Sequence, residues 1–490
     1  MESNQSSSLG LNKGEKSFAG PFAVITSLFF MWGFITAMND ILIPYLKRMF
    51  ELDRFQSMFV QSAFFGAYFI GSVIYYMLSL KGRDPITRIG YKNGIIIGLL
   101  ISAFGCIIFY PAAQFKSYGL FLTGLFLLGL GFTLLQIAAN PYVAILGKSE
   151  TASSRLNLAQ AFNSFGTTIA PILGGYLVFH YFAIWGEPLL NQLGNPILTD
   201  AGRPISANGV QIPYLIFAGI FLLLGLLIKF SYLPRFASDE GIEGGSGALK
   251  YQHLVLGMVA IFMYVGGEVS IGSVIINYIN EMVGYPEMVA KSYLAFYWGG
   301  AMIGRFLGAI SLSDMTDKLR KIILMLIVSV AGFLVIYVAV VLESETSFGL
   351  ENVYPFLFFL VLNLIGFQIG KSLPHRTLMI FAFINIILLA VTILNGGLTA
   401  IWCVIAIGLF NSIMWSNIFT LAIRGLGKYT SQGSSLLVMA ILGGALIPPI
   451  QGAVADMFGG YHYSFFIPMI CYAYLAFYGW KGYKIKKIEN

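Results

Sequence analysis

Long apolar runs with almost no charge recur along the whole chain, and they limit what it can fold into more than any other feature does. A helix that crosses a bilayer needs about 20 apolar residues, and we find fourteen runs near that length. They cover residues 20–46, 58–80, 93–113, 118–146, 155–182, 212–232, 253–280, 290–312, 321–342, 353–370, 377–396, 398–427, 430–457 and 462–480. Because lipid offers no partners to backbone polar groups, such runs form helices. The sequence therefore predicts an all-α polytopic membrane protein.

The low charge content excludes several classes of protein. Of the 490 residues, 57% are hydrophobic and only 10% are charged, whereas a soluble chain carries roughly a quarter charged residues. A soluble enzyme, a secreted disulfide module and a nucleic-acid-binding protein are therefore excluded. Cys106, Cys403 and Cys471 lie in apolar runs without pairing or metal-ligand spacing, so we expect them to be structural.

A polar stretch near the middle of the chain, RFASDEGIEGGSGALKYQ, separates the first six runs from the last eight. Its glycines and mixed charges are typical of a flexible loop between domains. The predicted organisation is an N-terminal tail at 1–19, a six-helix bundle at 20–232, a central loop at 233–252, a second bundle at 253–482 and a tail at 483–490.

Lysine and arginine are distributed unevenly between the two ends of the predicted helices. With the N-terminus in the cytoplasm, 22 of the 29 basic residues fall on the cytoplasmic side and six outside, while Arg305 lies within a run. Cytoplasmic loops of membrane proteins carry such an excess. We therefore expect both termini in the cytoplasm, and we attribute the net charge of +7 to this bias.

A weak internal repeat relates the two parts of the chain. GLFLLGLGFTLLQIAANPY in the first part has a counterpart in the second, GLFNSIMWSNIFTLAIRGLG, and each precedes a run of small residues that contains proline. Chance recurrence of Gly, Leu and Phe explains such a pattern equally well. Duplicated halves with a substrate site between them are typical of secondary transporters.

Two carboxylates lie inside apolar runs, where an ionisable group costs on the order of 2.5–3.5 kcal/mol. Trp32, Thr36 and Asp40 recur every four residues on one helix face, which predicts a cation or proton carrier beside a sugar-sized cavity. The alternative is an acid at the helix end that pairs with a basic residue of a loop. Glu268 is alone near the centre of its run, with Tyr264 one turn before it. Burial disfavours its charged form, which suits either proton exchange or a protonated hydrogen-bond donor between helices.

Amide side chains form a second group of polar residues inside the runs. Gln136 and Asn140 share one helix face, and Gln160 and Asn163 lie close together in the next run. Amides offer donors and acceptors, which suits the hydroxyl groups of a neutral sugar, but they also join helices to one another. Both interpretations stay open for each amide. For the aromatic residues, a contact in the core or with lipid is the alternative to stacking on a sugar. The predicted substrate-binding residues are Trp32, Gln136, Asn140, Gln160, Asn163, Trp298, Asn411 and Asn417.

Catalytic and nucleotide-binding motifs are missing from the sequence. It contains no G-x-x-x-x-G-K-[ST], no H-E-x-x-H and no G-x-G-x-x-G, so we expect no enzyme activity, no cofactor and no metal. Arg305 lies among glycines toward the cytoplasmic end of its run. Close helix packing with a pairing or snorkelling arginine explains it without substrate.

Several long segments resemble one transporter family. WGFITAMNDILIP, LQIAANPYVAILG, SRLNLAQAFNSFGTTIAPILGG, YVGGEVSIGS, GRFLG and FNSIMWSNIFTLAI resemble the fucose–galactose–glucose–proton symporter family of the major facilitator superfamily, and its bacterial glucose/galactose branch most closely. The resemblance implies two six-helix bundles, a central sugar cavity and alternating access.

The resemblance also implies roles for particular residues. Asp40 matches an acid that is essential to proton-coupled fucose transport, and Asn163 matches a polar residue of the cavity. Gln136 stands where the fucose symporter has glutamate, and Glu268 stands where it has glutamine, so the coupling residues need not be the same. About fifty extra residues follow GRFLG, which predicts an additional hairpin near 321–370 and about fourteen spans in a 6 + 8 arrangement.

We therefore expect a cation-coupled symporter that imports a hexose such as glucose or galactose. The coupling cation is a proton, with sodium as the alternative, and Asp40 and Glu268 are the predicted coupling residues. The alternatives are an N-acetylglucosamine or fucose permease of the same family and an uncoupled sugar uniporter or sensor. The expected partners are a monosaccharide, the cation and the lipid bilayer, with no nucleic acid. The expected location is the bacterial inner membrane, where the chain acts as a monomer.

Overall fold

The computed structural model describes residues 19–52, 54–81, 84–182, 187–190, 194–198, 204–232, 247–343 and 349–485. Helices form nearly all the regular structure of these residues, and the β structure within them is three isolated bridges between 188 and 206. The prediction of an all-helical chain is confirmed for the described part.

The described residues of the first half form seven α-helices, of which one is short. They are α1 (Ala19–Met49), α2 (Arg54–Leu80), α3 (Pro85–Ile89), α4 (Tyr91–Gln114), α5 (Tyr118–Ile145), α6 (Ala152–Tyr176) and α7 (Asn208–Phe230). α1 packs on α6, α2 on α5, and α4 on both α5 and α7. Local signals set the helix starts: Asp84 caps α3 by accepting from the Thr87 amide, and Ser117 caps α5.

In the second half, the part of the chain that the structure describes forms ten α-helices, because two of the predicted runs are broken. They are α8 (Gln252–Val283), α9 (Glu287–Ser311), α10 (Lys318–Glu343), α11 (Tyr354–Gly370), α12 (Pro374–Leu394), α13 (Gly397–Asn411), α14 (Met414–Ile423), α15 (Thr430–Met439), α16 (Gly443–Phe458) and α17 (Phe466–Phe477). α8 packs on α16 and α17, α9 on α13 and α10, and α12 on α13 and α17.

Ten helical segments of the described residues are long and apolar enough to cross a membrane. The other four predicted runs correspond to α6, α9, α11 and α17. α11 has 17 residues and α17 has 12, while α6 and α9 have polar side chains on the faces that meet each other. The multi-pass architecture is confirmed, and the number of fourteen spans stays a prediction.

The run predicted at 398–427 is interrupted between α13 and α14. The Ser412 hydroxyl donates to the Leu409 carbonyl at 2.7 Å, and Arg305 Nε donates to the Ser412 carbonyl at 3.2 Å. The break thus frees the Ser412 carbonyl, and Arg305, which belongs to another helix, donates a hydrogen bond to it. No proline or glycine marks this position in the sequence, which is why the run looks continuous.

The hairpin of α10 and α11 packs on the outside of α9 and α13. Phe333 and Phe356 contact Phe296 at ring-centroid distances of 6.3 and 5.2 Å. At its base, Lys321 donates to the Ser311 carbonyl at 3.0 Å, and the Ser372 hydroxyl donates to the same carbonyl at 2.6 Å. The residues before and after the hairpin therefore lie side by side, as expected for an insertion.

Candidate functional site

A cluster of polar side chains in the first half joins α1, α2 and α5. Trp32 is buried at 6% exposure, and its indole nitrogen donates to the Tyr68 hydroxyl at 3.3 Å. Thr36 and Gln136 also hydrogen-bond to Tyr68. Since Phe29 and Phe132 pack against the Trp32 ring, this indole is positioned as part of the helix core.

The other predicted amides of this half lie on α5 and α6. Gln160 donates to Asn140 Oδ1 at 3.4 Å, and the buried Asn140 Nδ2 has no hydrogen-bond partner among the described residues. Asn163 is half-buried and donates to the Phe29 carbonyl of α1 at 3.0 Å. Thr167, one turn further along α6, is exposed. The α6 face near Asn163 and Thr167 is thus open to a ligand.

Glu268 is buried in the second half and has a cationic partner. Its Oε1 accepts from the Tyr264 hydroxyl at 2.7 Å and lies 3.7 Å from Arg305 Nη2 of α9. The prediction that this carboxylate is alone holds only within its own run, because the partner comes from the next helix. The sequence places Arg305 near a helix end, so its reach to Glu268 is visible only in the fold.

Asn411 ends α13 within a network of neutral groups. Its Oδ1 accepts from Tyr472 at 2.8 Å and from Asn385 at 3.1 Å, and its Nδ2 donates to Tyr297 at 3.1 Å. Tyr297 in turn donates to the Glu268 carbonyl at 2.9 Å. Asn411 is fully buried, so the structure favours the interpretation of this residue as a link between helices.

The halves of the chain meet along α6 and α9, which we call the seam. The seam begins where Ser154 donates to the Ala309 carbonyl at 2.6 Å and ends where Thr168 contacts Met302 Sδ at 3.6 Å. Trp298 lies one turn beyond Met302 on the same α9 face and is 39% exposed. Trp298 therefore lies beyond the last of these seam contacts, beside Gly272 of α8.

Further hydrogen bonds seal the halves at one end of the molecule, which we call the sealed end. Ser431 donates to Asp84 at 2.9 Å, and Gln432 donates to Ser79 at 3.1 Å. Asn157 donates to Asn417 at 3.2 Å. The structure thus places Asn417 within the seal and away from the other predicted amides.

A cavity of about 800 Å³ lies at the sealed end between the two halves. Thr87 and Glu150 line it from the first half, and His375, Arg424 and Lys428 line it from the second. None of the predicted substrate-binding residues lines this cavity. It therefore lies on the far side of the seal from Trp298.

Two further predictions concern Asp40 and metal binding. The side chain of Asp40 lies outside the described residues. Among the described residues, no group of three His, Cys, Asp or Glu side chains has metal-binding geometry. The seam and the pairing of Arg305 are not visible in the sequence, since no spacing along the chain relates α6, α8 and α9.

Comparisons with known proteins cover almost the whole chain. A family model described as Major Facilitator Superfamily matches residues 23–370. The chain is 42% identical to a glucose/galactose transporter of Brucella abortus over 475 residues, which is 96% of each chain, and 30% identical to the L-fucose-proton symporter of Escherichia coli over 467 residues, 94% of this chain and 92% of that one. A solved structure of the transporter FucP in the outward conformation matches with a TM-score of 0.72 at 30% identity, covering 95% of this chain and 99% of that one.

Proposed function

We propose that this chain, which belongs to the fucose–galactose–glucose symporter family of the major facilitator superfamily, is a proton-coupled symporter that imports a hexose such as glucose or galactose. The observation that carries the proposal is the full-length similarity to sugar transporters. The buried Glu268 supports coupling, because an uncoupled carrier has no need for a carboxylate inside the membrane.

Alternating access follows from the arrangement of the halves. They are joined at the sealed end, and we take them to diverge beyond the last seam contact at Met302, so a sugar reaches the lining from one side only. For transport the seam must open and the other end must close. The break between α13 and α14 and the break between α15 and α16 are positions at which the second half bends.

The sealed end is the cytoplasmic end in this proposal. It includes the connections between membrane helices in which Arg88, Lys148 and Lys428 lie, and these belong to the basic side of the sequence. The protein is then open to the outside of a bacterial inner membrane, with fourteen spans in a 6 + 8 arrangement and both termini in the cytoplasm. The cavity at the sealed end is a vestibule on the exit path.

Single-cysteine labelling tests this topology. Glu351 and Lys148 are exposed. The three native cysteines are buried, so we expect the parent protein to react little with the labelling reagent. We expect an impermeant maleimide to label Glu351→Cys in intact cells, and Lys148→Cys only after permeabilisation. Labelling of both variants in intact cells, or of neither until permeabilisation, would contradict the hairpin, because Glu351 and Lys148 would then lie on the same side of the membrane. The reverse labelling of the two would invert the orientation.

Asn163 is the residue of the first half that we expect to bind sugar. Loss of a buried hydrogen-bond partner costs about 1–3 kcal/mol, so Asn163→Ala should weaken sugar binding roughly tenfold to a hundredfold. Binding to purified protein measures the effect. Asn395→Ala is the matched control, since Asn395 also donates to a helix carbonyl but lies exposed at a helix end. Equal affinities in both variants would assign Asn163 to helix packing alone.

Counterflow in proteoliposomes against a panel of labelled sugars tests the function itself. We expect exchange of glucose or galactose, whereas exchange of only N-acetylglucosamine or fucose would select those permeases. Exchange without accumulation under an imposed proton or sodium gradient would select a uniporter. Accumulation that follows the sodium gradient alone would replace the proton as the coupling cation.

A further inference from the structure

Arg305 is the point at which the buried carboxylate, the broken helix and the opposite half of the molecule meet. Its Nη2 faces Glu268 of α8 at 3.7 Å, and its Nε donates to the Ser412 carbonyl at 3.2 Å. Its Nη1 donates to the Ser164 hydroxyl of α6, across the seam. One guanidinium therefore joins two elements of the second half to α6 of the first half, and the halves must separate here during alternating access.

The charges of the two partners differ in how they respond to pH. A guanidinium stays charged at every pH that a protein meets, whereas a carboxylate loses its charge on binding one proton. The side chains of Glu268 and Arg305 are 11% and 14% exposed, so their attraction is weakly screened. Protonation of Glu268 forms one O–H bond with a proton from solvent and removes the negative charge that holds Arg305 on this side.

The surroundings of Glu268 contain no competing charge among the described residues that pack there. Tyr297 of α9 and Tyr472 of α17 interact with it, together with Tyr264 of its own helix, and tyrosine hydroxyls stay neutral where carboxylates titrate. The nearby groups of α13 and α16 are Asn411, Ile447 and Gln451. α14 packs along α8 and carries no charged residue, and α15 contacts α8 at Leu254. Arg305 is therefore the charge that responds to Glu268.

We propose that Arg305 is the positioning residue that links protonation of Glu268 to opening of the seam. With Glu268 ionised, Arg305 is held between Glu268 and Ser164, and α6 stays against α9. With Glu268 protonated, the ion pair is lost, Arg305 loses its anchor in the second half, and the seam separates more readily. The inference rests on the proposed function only in taking Glu268 as the group that binds the coupling proton.

Labelling of a cysteine within the seam tests this link without sugar or transport. Ser153 lines the cavity at the sealed end but is 3% exposed and hydrogen-bonds to Thr420 across the halves, so Ser153→Cys should react faster with a small maleimide when the sealed end opens. The rate is measured against pH on purified protein and divided by the rate for the exposed Lys148→Cys, because thiol reactivity itself depends on pH. We expect this ratio to rise about tenfold or more as the pH falls, since a hydrogen bond to a charged group is of that strength.

Variants in the Ser153→Cys background distinguish two roles of Arg305: transmitting the protonation of Glu268 to the seam, and only stabilising the fold. Glu268→Gln and Arg305→Gln should each give a high ratio that no longer changes with pH, and Arg305→Lys should restore part of the pH response. Arg155→Gln is the control, because Arg155 is a partly buried arginine that donates to the Val143 and Ala144 carbonyls. It should keep the response of the parent.

Three results would overturn the link: a ratio in the parent that is flat with pH, a response that survives Glu268→Gln, or a response that survives Arg305→Gln. If Arg305→Gln fails to fold, the double variant Glu268→Gln/Arg305→Gln removes both charges and should match Glu268→Gln alone. A normal labelling response together with failed counterflow would reject the transport proposal and leave the link intact.

Discussion

Glu268→Gln should abolish uphill accumulation of sugar while sparing exchange at equal concentrations. Glutamine keeps the size and the hydrogen-bonding ability of the side chain but cannot take up and release a proton. One charge that crosses 100 mV yields about 2.3 kcal/mol, which corresponds to roughly fiftyfold accumulation, and the variant should lose all of it. Uptake under an imposed gradient and counterflow are measured on the same preparation.

The same pair of assays on Asp40→Asn completes the test. The family resemblance assigns coupling to Asp40, so we expect it to be the stricter requirement. A folding control is needed for Glu268→Gln, because it leaves Arg305 without its carboxylate, and breaking a buried pair costs about 3–5 kcal/mol. If both variants concentrate sugar as the parent does, the two acids are structural and the symport proposal fails.

Gly33→Ala should strongly destabilise the protein, because α1 and α6 cross with their backbones in contact. A β-carbon at Gly33 would overlap the carbonyl oxygen of Asn163, and one at Gly166 would overlap that of Phe30. Small residues allow such close packing between membrane helices. The obstacle is backbone, so the helices must separate, at a cost of about 1–3 kcal/mol. Thermal unfolding of the purified protein in detergent measures the loss.

Gly219→Ala provides the matched control. Gly219 also lies inside a membrane helix, α7, but a β-carbon there meets no atom within 4 Å. We expect it to unfold at the parent temperature or slightly above, because alanine favours the helix more than glycine does. A Gly33→Ala protein as stable as Gly219→Ala would show that α1 and α6 do not touch in this way. The Asn163→Ala result would then also need another explanation.

The candidate site was predictable residue by residue but not as a set of contacts. Polar groups stand out in apolar runs, so Glu268, Asn140 and Asn163 could be found from the sequence alone. The partner of each group could not be found, because partners come from other helices. Asn417 shows the consequence: its residue type suits a sugar, yet the fold places it in the seal between the halves.

The helices themselves were predictable from the sequence, but the helix breaks were not. Hydropathy identifies runs by length, and α10 and α12 were found in this way. Hydropathy does not show that a run changes direction, and the break after Asn411 depends on Arg305 of α9 as a partner for the freed carbonyl. The insertion of α10 and α11 was visible as extra length, but only the fold shows that both of its ends meet at Ser311.

The amino-acid sequence alone identifies this chain as a helical, multi-pass membrane protein, because the free energy of placing a residue in lipid depends mainly on its own side chain and on its immediate neighbours in the run. It also identifies the family, since long segments match in order. The fold is needed to show that the halves are sealed at one end, that Glu268 is paired with Arg305, and that Arg305 reaches α6. Those facts depend on distances between helices far apart in the chain, and such distances result from packing at sites such as Gly33 and Gly166, where backbones touch.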